Sequence, residues 1–169
     1  MVWAGFRTEK GAYDESPVLF TYSDDAGSSW SKPKVSSGSS PQFCTFQEDQ
    51  NDVDAGQEGQ FECDQDQFVY PAVAPDGTLY VHFHNEQNEA AWESKEQFES
   101  QIMVVKSVNG GGEWSAPVHV VQMEDSYTGR DYPLNVDGAA TLTGHQFRVN
   151  PAGNIAVETP AAPTTGVST

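Results

Sequence analysis

The chain has 169 residues, enough for one domain with a real core, and 37% of them are hydrophobic. Twenty-five acids face eight bases, a net charge of −17. This disfavours nucleic acid and anionic membranes as partners, because both need basic surface. The charge suits a solubilising exterior, a salt-rich habitat or cation binding. No apolar run of about 18 residues occurs, so no membrane span is expected. In chain order, Met1 to Arg7 is too short and polar for a signal peptide. The expectation is that one has been removed or that the chain begins inside a longer protein, in either case a secreted, extracellular or cell-surface one.

Short apolar runs punctuated by turn residues predict β structure throughout. Val2–Phe6 reads as the end of a strand, Val18–Tyr22 as a second, and Trp30–Val35 as a third at a sheet edge, since Pro33 lacks an N–H. Phe68–Ala74 and Thr78–His84 flank Pro75-Asp76-Gly77 and predict a hairpin. Gln101–Lys106 and Trp114–Val121 follow, and Gly153–Val157 reads as a last strand. Only Glu86–Ser100 suggests helix, at most one or two turns, because its charges leave no clean apolar stripe.

An internal repeat organises these elements. Ser23-Asp24-Asp25-Ala26-Gly27-Ser28-Ser29-Trp30 returns as Ser107-Val108-Asn109-Gly110-Gly111-Gly112-Glu113-Trp114, and both copies continue as Ser-x-Pro. Ser, Gly, Trp and Pro all recur 84 residues on, the mark of a repeated structural unit. Gly153–Val157 lies 83 residues after Tyr70–Ala74 and reads as its equivalent, while a competing register pairs Asn150-Pro151-Ala152-Gly153 with the turn at Ala74–Gly77. Four antiparallel strands repeated radially make a propeller blade. The expected fold is all-β, a partial β-propeller of about two blades. Residues 1–36 end one blade, 68–121 form a full one and 153–169 start a third, with 37–67 and 122–152 as long links.

Ser-x-Asp-x-Gly-x-Ser-Trp at residues 23–30 resembles the Asp-box, or BNR repeat, of the sialidase (neuraminidase) superfamily. The second copy departs from it, with Asn109 for Asp and Glu113 for the hydroxyl residue, yet Asn also caps a turn. The resemblance implies a six-bladed propeller in which Ser23, Asp25, Gly27, Ser29 and Trp30, and Ser107, Asn109, Gly111 and Trp114, are scaffold. Two blades leave open sheet edges, which proteins normally remove, so the rest of the propeller is expected from flanking sequence or from other chains.

In such a blade the first and third turns share one face. Here those turns are short, and the long segments 8–17, 36–67, 85–100 and 122–151 gather on the other face. They hold 20 of the 25 acids. Long loops on a rigid scaffold are where function concentrates, although this negative funnel repels anionic sugars at long range. The resemblance implies three arginines gripping a sugar carboxylate, a Tyr nucleophile and an Asp acid/base. The matching positions are Arg7, Arg130 and Arg148 for binding, with Asp131 and Tyr132 for catalysis. Phe147-Arg148-Val149-Asn150-Pro151 is similar to the family's Phe-Arg-Ile-Pro motif with an inserted residue and a later place in the chain.

The implied function is a sialidase-like, exo-acting glycoside hydrolase in its full-length form, with a glycan or glycoprotein as partner. The alternative is a non-catalytic propeller that binds glycan or protein. Asp52-Val53-Asp54-Ala55-Gly56-Gln57-Glu58 resembles the start of a calcium loop, so Asp52, Asp54 and Glu58 are candidate Ca2+ ligands, against a plain solvated acidic loop. No cofactor is otherwise required. Cys44 and Cys63 enclose eighteen residues, and an oxidised pair would stabilise by about 3 kcal/mol; two unrelated thiols are the other reading. His82 and His84 share a strand face, as a metal pair or as structural imidazoles.

Overall fold

The computed structural model describes residues 1–9, 12–13, 15–36, 66–85, 100–123, 134–136, 139–140 and 152–158. The described residues form eleven strands in four antiparallel sheets and no helix. Those that matter most are β1 (Val2–Ala4), β2 (Thr8–Glu9), β3 (Ala12–Tyr13), β4 (Val18–Phe20), β5 (Lys34–Val35), β6 (Asp66–Val73), β7 (Leu79–Asn85), β8 (Gln101–Ser107) and β9 (Val118–Gln122).

β6 to β9 form one four-stranded meander in sequence order. Asp76 sets its first turn: its carboxylate accepts from the Thr78 N–H at 2.9 Å, and Gly77 supplies the left-handed φ of 85°. The register runs Val73↔Leu79↔Ser107, so both short turns lie at one end of the sheet. The other end is the row Asp66, Asn85, Gln101 and Gln122, where the chain leaves for 86–99.

The three-stranded sheet β1-β4-β5 repeats the last three strands of that plan. The two sheets pack face to face, as consecutive blades do in a propeller. Val18 and Val2 from the smaller sheet meet Val81, Phe83, Met103, Val105, Val69 and Trp114 from the larger. Alternation along β7 sends Val81 and Phe83 to this core, and each fully buried apolar side chain there is worth about 1.5–3 kcal/mol.

Several expectations change. Trp30–Pro33 and Trp114–Pro117 are not strand; ladders resume only at Lys34 and Val118, because Pro33 and Pro117 have no N–H to donate. The described residues of 8–17, a segment expected as a loop, continue the β1–β4 hairpin. Gly5 N–H donates to Pro17 O, Arg7 N–H to Glu15 O, and Thr8 pairs Tyr13. A further small hairpin, β10 (Leu134–Val136) with β11 (Ala139–Ala140), lies in the segment expected as a long link. Residues 153–157, expected as a strand, join no ladder among the described residues, although their burial alternates. The expected helical turns at 86–99 lie outside the described residues.

Candidate functional site

The end of the sheets from which the long segments leave carries the polar groups. At that end Asp66, Asn85 and Gln101 sit side by side on β6, β7 and β8 and are all buried. Asn85 Nδ2 donates to Asp66 Oδ1 at 2.6 Å, and Gln101 Nε2 donates to Asn85 Oδ1 at 3.1 Å. An uncompensated polar group here would cost about 1–3 kcal/mol, so these bonds hold the three strand ends in register. The Asp66 N–H donates to Ser16 O at 3.2 Å and ties this row to the smaller sheet.

Ser16 follows Glu15, whose carboxylate is buried and accepts from Arg7 Nη1. Arg7 itself is about half exposed, at 49%. Its guanidinium is thus fixed from below by a buried carboxylate and open to solvent above. A planar fork of donors held that way suits a carboxylate or phosphate.

Next to this row β6 is distorted. The pairing shifts between Gln67 and Tyr70, and Phe68 adopts a φ of 48°. A bulky residue in the left-handed region stores strain, and such bulges recur beside functional sites. The Phe68 ring lies 5.7 Å from that of His84, and the Tyr70 ring 6.1 Å from that of His82. Both imidazoles are buried. Burial first, and then the neighbouring His84, hold His82 below its ordinary pKa, against a backbone hydrogen bond that raises it. Burial thus favours the neutral form of the His82 ring. Among the described residues no three His, Cys, Asp or Glu side chains gather as a metal would need.

The opposite end is built from the two repeated turns. In the first, Ser23 Oγ donates to Asp25 Oδ1 and accepts from the Gly27 N–H, both at 2.8 Å, and the Ser29 N–H donates to Asp25 Oδ1 at 2.8 Å. Ser29 Oγ adds a 2.6 Å bond to Asp25 Oδ2. These bonds, the Ser29 hydroxyl's first, pull the Asp25 pKa down to about 2. Three of the roughly four acceptor sites of the Asp25 carboxylate are taken within its own turn, and its low pKa leaves it no proton to donate near neutral pH.

Of the residues singled out from sequence, Arg7, His82, His84 and the turn residues are described. Arg7 is at the polar end and the turns are at the other. Arg130, Asp131, Tyr132, Arg148, Cys44, Cys63, Asp52, Asp54 and Glu58 lie outside the described residues. Sequence reasoning missed Asn85 and Gln101, and counted Glu15 and Asp66 only among the acids of the long segments. Their one signal was position: each is a polar residue at the end of the sheets away from the short turns.

No protein-family model and no curated protein matches the chain. Among solved structures it is similar to the Hadza microbial sialidase Hz136, with 20% identity and a TM-score of 0.40 over 63% of this chain. The matched part spans 20% of that protein's length. No described helix is long and apolar enough to cross a membrane.

Proposed function

We propose that this chain is part of a sialidase-like Asp-box propeller that recognises an acidic sugar on the face opposite its Asp-box turns. The observation that carries this reading is Arg7, half exposed, held in place by the buried Glu15 beside the polar row Asp66–Asn85–Gln101. Arg7, Arg130 and Arg148 bind the sugar carboxylate through paired N–H bonds, which need a fork already aimed. Asp131 is the proton donor and Tyr132 the nucleophile of an exo-acting hydrolase in the full-length protein. A glycan or glycoprotein is the partner, reached outside the cell. Ca2+ at Asp52, Asp54 and Glu58 and a Cys44–Cys63 disulfide would brace the loop 36–67 of that face. The second reading, a non-catalytic binder of glycan or protein, is favoured by the net charge of −17, which repels an anionic substrate.

The test is binding of sialyllactose against lactose by titration calorimetry, with turnover of a fluorogenic sialoside measured in parallel. Preference for the sialylated sugar, lost about tenfold or more in Arg7→Ala, supports the acidic-sugar reading. Turnover separates hydrolase from binder. Equal affinity for the two sugars sinks the acidic-sugar reading.

A further inference from the structure

The second repeated turn contains a pair that the first lacks. Asn109-Gly110 is the single Asn-Gly step in the chain, and both residues are exposed. The first turn has Asp25-Ala26 at the same place, an acid where the second has an amide. An asparagine side chain can be attacked at its carbonyl carbon by the backbone nitrogen that follows it. Glycine, having no Cβ, leaves that nitrogen unshielded.

The turn favours this attack. Asn109 Oδ1 accepts from Ser107 Oγ and from the Glu113 N–H, both at 2.9 Å. An N–H can only donate, so the carboxamide atom facing Glu113 is the oxygen. Two donors on that oxygen draw charge from Cγ and stabilise the oxyanion that forms there on attack. The amides of Asn109, Gly111, Gly112 and Glu113 are all bonded within the turn, whereas the Gly110 N–H makes none of these bonds. The space beside Gly110 is also open, with nothing within 4 Å of a Cβ added there. Water therefore reaches the step. The fold already accepts the acid product, because the first turn is the same frame built on a carboxylate. Asp25 takes the Ser23 hydroxyl and the Ser29 N–H just as Asn109 takes those of Ser107 and Glu113.

We propose that Asn109 is a site of self-modification, at which the second turn converts its own asparagine to aspartate. The Gly110 nitrogen gives its proton to water or hydroxide and bonds to Asn109 Cγ. The Cγ–Nδ2 bond breaks, Nδ2 takes up a proton, and ammonia leaves. A five-membered succinimide then joins residues 109 and 110. Water adds at its Cγ, the new Cγ–N bond opens, and the nitrogen regains its proton as an ordinary peptide. Nothing is oxidised or reduced, and water is the one co-reactant. Ser107 and Glu113 polarise Cγ in both steps, so the ring opens there and not at the backbone carbonyl carbon. The product is thus aspartate rather than isoaspartate, and one negative charge is added to the −17 of the chain.

The test is to age the full chain at mildly alkaline pH, folded in buffer and unfolded in guanidinium chloride. Mass spectrometry of the peptide around residue 109 follows the gain of about 1 Da that an acid in place of an amide brings. Fragmentation that separates aspartate from isoaspartate identifies the product. In the folded chain residue 109 converts mainly to aspartate, and the Glu113 amide resonance then titrates in acid with the new carboxylate. In the unfolded chain, where no donors are fixed on Cγ, isoaspartate forms as well. Ser107→Ala slows the folded reaction about tenfold or more, as loss of an oxyanion donor does, and raises the isoaspartate share. Gly110→Ala abolishes the reaction without unfolding the turn, since Ala26 holds a φ of 58° at the same place in the first. An unchanged near-ultraviolet signal from Trp114 checks the fold of both variants. Asn109 that stays intact in the folded chain while the unfolded chain reacts overturns the proposal. So does isoaspartate as the main folded product, or a folded Ser107→Ala variant with the wild-type rate and product ratio.

Discussion

The turns Ser23–Trp30 and Ser107–Trp114 are bonded almost atom for atom alike, yet they sit in different surroundings. In each, the leading serine hydroxyl donates to the Asp or Asn side chain and accepts from the amide four residues on. In each, that side chain accepts from the amide four residues beyond it. A second serine then clamps the base of the turn, Ser31 Oγ to the Tyr22 N–H and Ser115 Oγ to the Lys106 N–H, both at 3.1 Å. The backbones match too, with positive φ at Ala26 and Gly27 in the first turn and at the equivalent Gly110 and Gly111 in the second. The difference lies with the tryptophan, which is exposed in the first and packed on Phe20 in the second. The turn is thus a local object made by its own side chains. What it does for the fold depends on the sheet beside it.

The glycines test that separation most severely. A Cβ on Gly111 would overlap the Phe20 ring at a backbone φ of 84°. Gly111→Ala therefore combines overpacking with left-handed strain and costs about 3–4 kcal/mol. Gly27→Ala has the strain, at a φ of 90°, but only the Trp30 ring edge at 3.9 Å nearby, and costs about 1–2 kcal/mol. Equal losses of midpoint in urea unfolding would break the comparison. The tryptophans come next. Trp114→Ala costs about 3 kcal/mol through lost packing, whereas Trp30→Ala stays within about 0.5 kcal/mol in dilute chain, measured by the same unfolding series.

Acid gives the smallest and most local effect. The Asp25 pKa is about 2 against an ordinary 3.8, so the charged form favours the folded turn. Its contribution is complete above about pH 3.8 and is lost as the pH falls through about 2. Asn109 carries no such proton. The Ser29 amide resonance is expected to move with a midpoint near pH 2, while the equivalent Glu113 amide shows no step from residue 109. Asp25→Asn removes the Ser29 step and makes the two turns alike.

Much of this architecture was legible before any coordinates. The 84-residue offset located both turns, and Asp76-Gly77 located the hairpin, because each is fixed by side chains within a few residues of the backbone they bind. The strands beside Pro33 and Pro117 begin later than the sequence pattern predicts, since a missing N–H keeps the prolines out of the ladder. The described pairs between Gly5 and Pro17 lie in a segment that reads as a loop because charged residues and Gly11 interrupt the β-favouring Thr8 and Tyr13. Of the site, sequence pointed to Arg7 and to the face it occupies. The residue that holds it, Glu15, looked like one more acid among twenty-five.

What the sequence determined alone is the repeated unit: its strands, its turn chemistry and the end of the sheet at which each turn lies. Those are short-range consequences of alternation, glycine and side-chain capping. The tertiary structure alone decided which acid is buried beneath Arg7, which polar side chains join Asp66 across three strands, and which of two identical tryptophans becomes core. Each of those depends on a neighbour beyond the local turn, 8 residues away for Arg7 and Glu15 and 16 to 19 in the polar row. Burial and pairing across sheets leave no local mark in the residues that undergo them.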